Sequence, residues 1–460
     1  MREKLRKVAV YSFFDHTHIE AGLERMARKG WMLETMGNYL WTYRRIEPTE
    51  LHFTVSYAPK ASAFDPDVMT EEQLEFIDFC GRTGWRFVAS NAQLQVFCNE
   101  QADPVPIHTD PILELDMLHK AAKRSYIPSY CVLLALALMQ LGLFVAGMLG
   151  DPIRQLASIA SGAGIFMWLV LAVMIVCELG AYFRWRKRAY QAAERGEFLA
   201  TPNLTRLQHI ILALAFLDAA YLSLSLAFSN DMLLLACILV AWAYAAIVAA
   251  GVNMTKNRLK RKGASRGVNR AVTIAVDVVL AFGGMALLIF FIIRAGESGR
   301  FGDAIKARAS IPLVVEDLTD TGAPAEWYIR QQTDRSSPLL AQYELHQYRD
   351  FHNEDVAGAD LQGLEYTITD VKAAFLYGFC KEKLLHAYED EDIRFGIVRD
   401  YKPADAAPWG AEESYRLYWR EDGSPLNRWL LSYGRRFVEL GLDWEPTVEQ
   451  MAIVGEKLGK

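Results

Sequence analysis

Residues 160–188 read ASGAGIFMWLVLAVMIVCELGAYFRWRKR. Ala160–Phe183 carries a single acidic or basic side chain, Glu178. At ~1.5 Å per helical residue it is long enough to cross the ~30 Å hydrocarbon core of a bilayer. Arg184, Arg186, Lys187 and Arg188 close the run, and Tyr182, Phe183 and Trp185 sit at the border, where amphipathic rings settle. Four similar runs lie at Ile127–Leu149, Gln208–Phe228, Met232–Val252 and Ala271–Ile293. Soluble cores rarely string five such segments together with short connections, so the sequence predicts a five-helix transmembrane bundle over residues 123–294.

The connections set the expected orientation. Lys120, Lys123 and Arg124 precede the first span, and Arg184–Arg206 follow the second. Lys256, Arg258, Lys260, Arg261, Lys262, Arg266 and Arg270 follow the fourth. The alternate connections hold only Asp151 with Arg154, and Ser229-Asn230-Asp231. Basic loops resist export. The pattern therefore predicts a bacterial inner-membrane protein with a cytoplasmic domain at 1–122 and an extracytoplasmic domain at 295–460. Arg294, Arg300, Lys306 and Arg308 fall on the outer side but are sparser. Val8–Phe14 is too short for a cleaved leader.

Charge divides the same way. The chain has 460 residues and net charge −6, but residues 295–460 alone hold 30 acidic and 19 basic side chains, a net of −11. The cations of 184–270 suit a membrane surface rather than nucleic acid. The cysteines, at 80, 98, 131, 177, 237 and 380, have no ligand-like spacing, and the last domain has only Cys380. No phosphate loop, His-Glu-x-x-His or Gly-x-Ser-x-Gly motif occurs. A non-enzymatic protein without metal or cofactor is expected.

Residues 8–98 contain a duplication. In the first copy a strand at Val8–Phe14 leads to a helix through Lys29, capped by Thr17-x-x-Glu20 and ended by Gly30. Trp31-Met32-Leu33 then opens a hairpin returning through Leu40–Tyr43. In the second, Leu51–Tyr57 precedes a helix from Glu71 to Arg82, Gly84 ends it, and Trp85-Arg86-Phe87 leads to Leu94–Phe97. Gly30-Trp31 and Gly84-Trp85 mark equivalent points. Two β-α-β-β units imply one six-stranded sheet backed by two helices, an α+β domain. Met26-Ala27-Arg28-Lys29-Gly30-Trp31, Thr83-Gly84-Trp85-Arg86-Phe87 and the segment to Thr109-Asp110 resemble the bacterial domain of unknown function 2812. That resemblance implies an N-terminal domain joined to membrane helices, sometimes beside PadR-like transcriptional regulators, and supplies no catalytic residues. Asp15-His16-Thr17-His18 reads as helix-start chemistry rather than a metal site.

The C-terminal domain reads as α+β. A strand at Leu339–Tyr348 precedes a helix at about Asp370–His386, capped by Thr367 or Thr369. Ser414–Trp419 and Asn427–Tyr433 flank the turn Glu421-Asp422-Gly423-Ser424. Phe437–Leu442 adds a strand, and Thr447-x-x-Gln450 caps a last helix. His346, Asp350, His352, Glu354 and Asp355 match no known ligand spacing. Trp409, Tyr415, Tyr418, Trp419, Trp429 and Trp444 read as core before they read as a ligand platform.

Three acids fall within spans: Glu178, Asp218 and Asp277. Such groups are costly unless paired or wet. Glu178 and Asp277 are near enough to Arg184 and Arg270 to reach the interface, whereas Asp218 is mid-span. The architecture favours a sensor, regulatory or scaffold protein, with a cytoplasmic protein partner for residues 1–122 and an extracytoplasmic ligand of unknown chemistry. A transporter or accessory subunit using Asp218, Glu178 and Asp277 is the alternative.

Overall fold

The computed structural model describes residues 3–37, 40–67, 70–228, 232–297, 311–319, 328–349, 362–389 and 398–460. It separates into two units. The first contains Met1–Leu141 and Phe166–Arg300, and the second Gly142–Ile165 and Phe301–Lys460.

In the first unit, β1 (Lys4–Val8), α1 (His16–Arg28), β2 (Trp31–Met36) and β3 (Leu40–Arg45) form one repeat, and β4 (His52–Tyr57), α2 (Glu71–Arg82), β5 (Arg86–Asn91) and β6 (Leu94–Asn99) the other. The duplication is visible in fine detail. Each repeat makes an antiparallel sheet with its last strand central, in orders β1-β3-β2 and β4-β6-β5. Each hairpin carries a register shift at the same place, between Leu33 and Thr35 and between Phe87 and Ala89. Gly30 and Gly84, with φ of +78° and +85°, end the helices in the left-handed region that favours glycine.

The expected single six-stranded sheet is not formed. Each repeat saturates its central strand on both sides, so β2 and β5 come close without ladder bonds. The first strand is also displaced. Val8–Phe14 was expected to be extended; β1 ends at Val8, and the apolar residues beyond it have another use. Nor does Thr17-x-x-Glu20 cap α1. The helix starts after Asp15 without a side-chain cap bond. The capping box that does form in this domain is Thr70 with Gln73 on α2.

α3 (Pro111–Arg124) leads into α4 (Tyr126–Gly150), followed by α5 (Pro152–Ala157), α6 (Ile159–Ala193), α7 (Thr205–Phe228), α8 (Met232–Arg261) and α9 (Arg266–Glu297). Among the described residues, five helices are long and apolar enough to cross a membrane. Large apolar side chains such as Leu138, Leu143, Phe216, Val279 and Phe282 point outward, the burial pattern of a protein whose solvent is lipid. The chain is a membrane protein.

The second unit is mostly β, where α+β was expected. Seven antiparallel strands run in the order β10-β11-β12-β13-β9-β8-β7: β7 (Tyr328–Ser336), β8 (Leu340–Arg349), β9 (Leu364–Val371), β10 (Arg399–Ala404), β11 (Glu413–Trp419), β12 (Pro425–Tyr433) and β13 (Arg436–Leu442). The helix expected from Asp370 is cut to α10 (Tyr377–Leu385). Thr367 and Thr369 lie inside β9, bonded on both sides to β8 and β13. The alternating, β-branched Glu365–Val371 suits a central strand better than a helix start. Gly423, at φ +68°, turns β11 into β12 as expected. One sheet face packs Leu345, Leu364, Leu431 and Leu440 with Trp409 beneath α11 (Val448–Leu458), and Thr447 and Gln450 make the expected capping box. The other face packs Leu340, Leu430 and Phe437 against α10 and α5.

Candidate functional site

The aromatic segment Tyr11-Ser12-Phe13-Phe14-Asp15 is a plug. Its backbone turns back on itself, with Asp15 N donating to Ser12 O at 3.0 Å and Tyr57 Oη donating to Phe13 O at 2.9 Å. Phe14 is fully buried among Tyr126, Tyr182 and Trp185, with ring centroids 6.3, 5.3 and 5.6 Å away. Phe13 stacks on Tyr126 at 5.5 Å. The core of the N-terminal domain thus continues into the basic end of α6, through Tyr182, Trp185, Ala189 and Ala193.

Two polar side chains ride on this plug. Ser12 Oγ donates to Glu178 Oε1 at 3.0 Å, and Tyr126 Oη donates to Glu178 Oε2 at 3.3 Å. Gln208 Nε2, on α7, donates to Ser12 Oγ at 2.9 Å and also to Glu178 Oε1. Asp15 Oδ1 accepts from Thr201 Oγ1 at 2.7 Å and pairs with His18 Nδ1 at 2.6 Å; Thr17 Oγ1 accepts from Thr201 N. Glu178 is 1% exposed. It turns to Ser12 of the N-terminal domain and does not pair with Arg184, whose Nε donates to Gly180 O. It is an acceptor node joining loop 9–15 to α4, α6 and α7, and its three donors offset the cost of burying a carboxylate. Asp15 Oδ2 and Gln208 Oε1 are buried without a hydrogen-bond partner among the described residues, leaving acceptor capacity for a proton donor or water. The arrangement can latch.

Behind the plug lies a second group. Glu20, on α1, accepts from Val55 N at 2.8 Å and Thr54 Oγ1 at 3.4 Å. Burial, with Glu114 and Glu24 adding like charge, pushes its carboxyl up to about 8 despite those bonds. His16 approaches Glu114 at 3.7 Å, yet burial pushes its imidazole down to about 4. At neutral pH it is uncharged and the contact is not an ion pair.

The second repeat docks as well. Residues 58–67 of it meet the turn between α8 and α9. Arg266 grips Asp65 at 2.5 and 2.9 Å and donates to Lys60 O at 2.7 Å. Asn269 Nδ2 donates to Phe64 O at 3.0 Å, and Asp67 N to Lys260 O at 3.2 Å.

The three intramembrane acids are not brought together. Glu178 belongs to the latch, Asp218 is half-buried, and Asp277 is exposed on the surface of α9. Neither of the latter two has a hydrogen bond or ion pair among the described residues. No group of three or more His, Cys, Asp or Glu is placed to hold a metal among the described residues. Gly30 and Gly84 stop their helices, Trp31 lies under the Arg45 guanidinium at 5.1 Å, and buried Trp85 donates to Val105 O at 2.7 Å. Trp409 and Trp429 are core, with centroids 5.5 Å apart. His346 pairs with Glu365 at 3.2 Å. Asp350, His352, Glu354, Asp355 and the Ser229–Asp231 connection lie outside the described residues.

Fold and site together define a polytopic membrane protein with a duplicated β-α-β-β domain latched to its helices. Residues 15–130 match the family described as protein of unknown function (DUF2812), so the N-terminal region carries that domain. The match runs from the residue that starts α1 to the early turns of α4, taking in α3. No curated protein and no solved structure matches the chain.

Proposed function

We propose that this is a regulatory protein of the bacterial inner membrane in which α6 carries displacement between an extracytoplasmic domain and a cytoplasmic one. One observation carries the reading: a soluble domain grips the basic end of this helix, and another grips α5, which ends one residue before it begins. At its basic end Glu178, Tyr182 and Trp185 hold the plug of the N-terminal domain. At the other, α5 precedes it by one residue and is buried in the C-terminal domain through Ile153 and Ala157, with Ser337 Oγ donating to Leu156 O at 2.6 Å. The unbroken helix α6 (Ile159–Ala193) carries the basic-end grip and starts one residue after α5. A rigid helix passes on axial or rotational shifts that a flexible linker would absorb. The basic connections support a cytoplasmic N-terminal domain.

The test is hydrogen exchange on the full chain in micelles. Ile153→Glu with Ala157→Glu should free the outer grip and accelerate exchange in residues 9–15. Unchanged exchange there, with β8 and β9 visibly loosened, would overturn the coupling. A reporter fused after Lys460 that is active only inside the cell would overturn the sidedness.

A further inference from the structure

A cavity of about 1070 Å³ lies in the first unit, between residues 58–65, the start of α2, α3 and Arg266. It is distinct from the latch. Four cations line it: Lys60, Lys120, Arg124 and Arg266. Two of them are spent. Arg266 holds Asp65, and Lys60 holds Glu72 at 3.2 Å. Lys120 has no ion-pair partner among the described residues, and Arg124 makes only a 3.5 Å bond to Pro59 O. Glu71, the remaining lining carboxylate, sits in the first turn of α2, where the helix end already favours an anion. Between the cations the wall is apolar, with Tyr57, Pro59, Phe76 and Met117.

Position decides what would fill it. Arg124 lies three residues and Lys120 seven before the first span, and Arg266 five before the last, so the cavity opens at the depth of lipid headgroups. We infer that it takes the headgroup of an anionic glycerophospholipid. The phosphate lies toward Lys120 and Arg124, and the glycerol with the first methylenes lies along Phe76 and Met117. Basic pockets beside transmembrane helices recognise such headgroups because unneutralised cations meet a negative surface within a Debye length. An apolar wall beside the cations suits an amphiphile better than a small hydrated anion.

Native mass spectrometry of the full-length protein, titrated in neutral micelles with phosphatidylglycerol or phosphatidylcholine, tests this. Phosphatidylglycerol should bind tighter. Lys120→Gln with Arg124→Gln should weaken it by about thirty-fold, removing two surface cations. Lys187→Gln with Arg188→Gln, in the last turns of α6, should leave it unchanged. Equal affinity for both lipids, or equal loss in both double variants, would overturn the site. Displacement by millimolar glycerol 3-phosphate would assign a soluble anion instead and overturn the lipid.

Discussion

Glu20 and His16 sit one turn apart on α1 and are perturbed in opposite senses, so the stability of the N-terminal domain should respond to pH in a way each substitution separates. The Glu20 carboxyl titrates at about 8 in the fold against an ordinary 4.5. Folding therefore favours its protonated form. Its contribution is complete below pH 4.5 and is lost as pH rises from 4.5 to 8, at about 1.4 kcal/mol per unit. At pH 7 the accumulated cost is ~3 kcal/mol, an upper figure because the residue keeps a solvent-facing edge. Glu20→Gln keeps the oxygen that accepts from Val55 N and Thr54 Oγ1 and removes the charge. Urea unfolding of the detergent-solubilised full chain, followed at pH 5, 6, 7 and 8, should show the variant within about 1 kcal/mol of wild type at pH 5 and more stable by about 2–3 kcal/mol at pH 7. A variant-to-wild-type gap that stays constant across this range would refute the reasoning. So would a variant less stable at every pH, since Val55 N would then need the ionised carboxylate.

His16, held near 4 against an ordinary 6.5, should give the opposite slope. Its contribution is complete above pH 6.5 and lost as pH falls toward 4, so His16→Gln should gain on wild type only in acid, in the same titration. Phe14→Ala should cost about 3–5 kcal/mol by opening a cavity among Tyr126, Tyr182 and Trp185, read as a fall in the urea midpoint. Gly30→Ala and Gly196→Ala share φ +78°, but a Cβ on Gly30 would meet Ile46 O at 2.8 Å while nothing lies within 4 Å of one on Gly196. Both should lose stability, by about 1 kcal/mol at Gly196 and more at Gly30, read as lowered thermal midpoints. Thr447→Ala should cost about 1 kcal/mol by removing the cap of α11, measured by the same melt.

Local chemistry was legible in the chain; partnerships were not. The spans follow from run length, and the repeat from Gly30-Trp31 and Gly84-Trp85, because a helix stop followed by a hairpin is written within a few residues. Thr447-x-x-Gln450 is equally local. Glu178 was misplaced because its partner Ser12 is 166 residues away, and nothing in Cys177-Glu178-Leu179 tells of it. Val8–Phe14 misled for a related reason. It has the apolar content of a strand, but Ser12 and Asp15 break the alternation a half-buried strand requires, and that break was the available sign of a loop with buried polar partners. Asp151-Pro152 likewise carries the N-cap and first-turn signature of a helix in what reads as a bare connection, and α5 begins there with Asp151 as its cap.

The two repeats share strand order, bulge and helix stop, and differ where they touch the membrane helices. In the first, the segment between strand and helix is short and aromatic, and seats on α4, α6 and α7. In the second, residues 58–67 carry Asp65 and Asp67 and seat on the α8–α9 turn through charge. One domain therefore holds two separate sets of helix ends, one by apolar burial and one by exposed ion pairs. These grips answer differently to conditions: salt weakens the second and leaves the first nearly untouched. The two sheets meet without shared ladder bonds. If one set of helix ends moves against the other, no ladder bond between the sheets has to break, but the bonds of Val55 N to Glu20 and of Tyr57 Oη to Phe13 O across the repeats would have to give. A single six-stranded sheet would have resisted that motion. Division of the sheet, which the duplication alone did not foretell, leaves the boundary between the repeats held by a shared apolar core and by the bonds of Glu20 and Tyr57 rather than by a strand ladder.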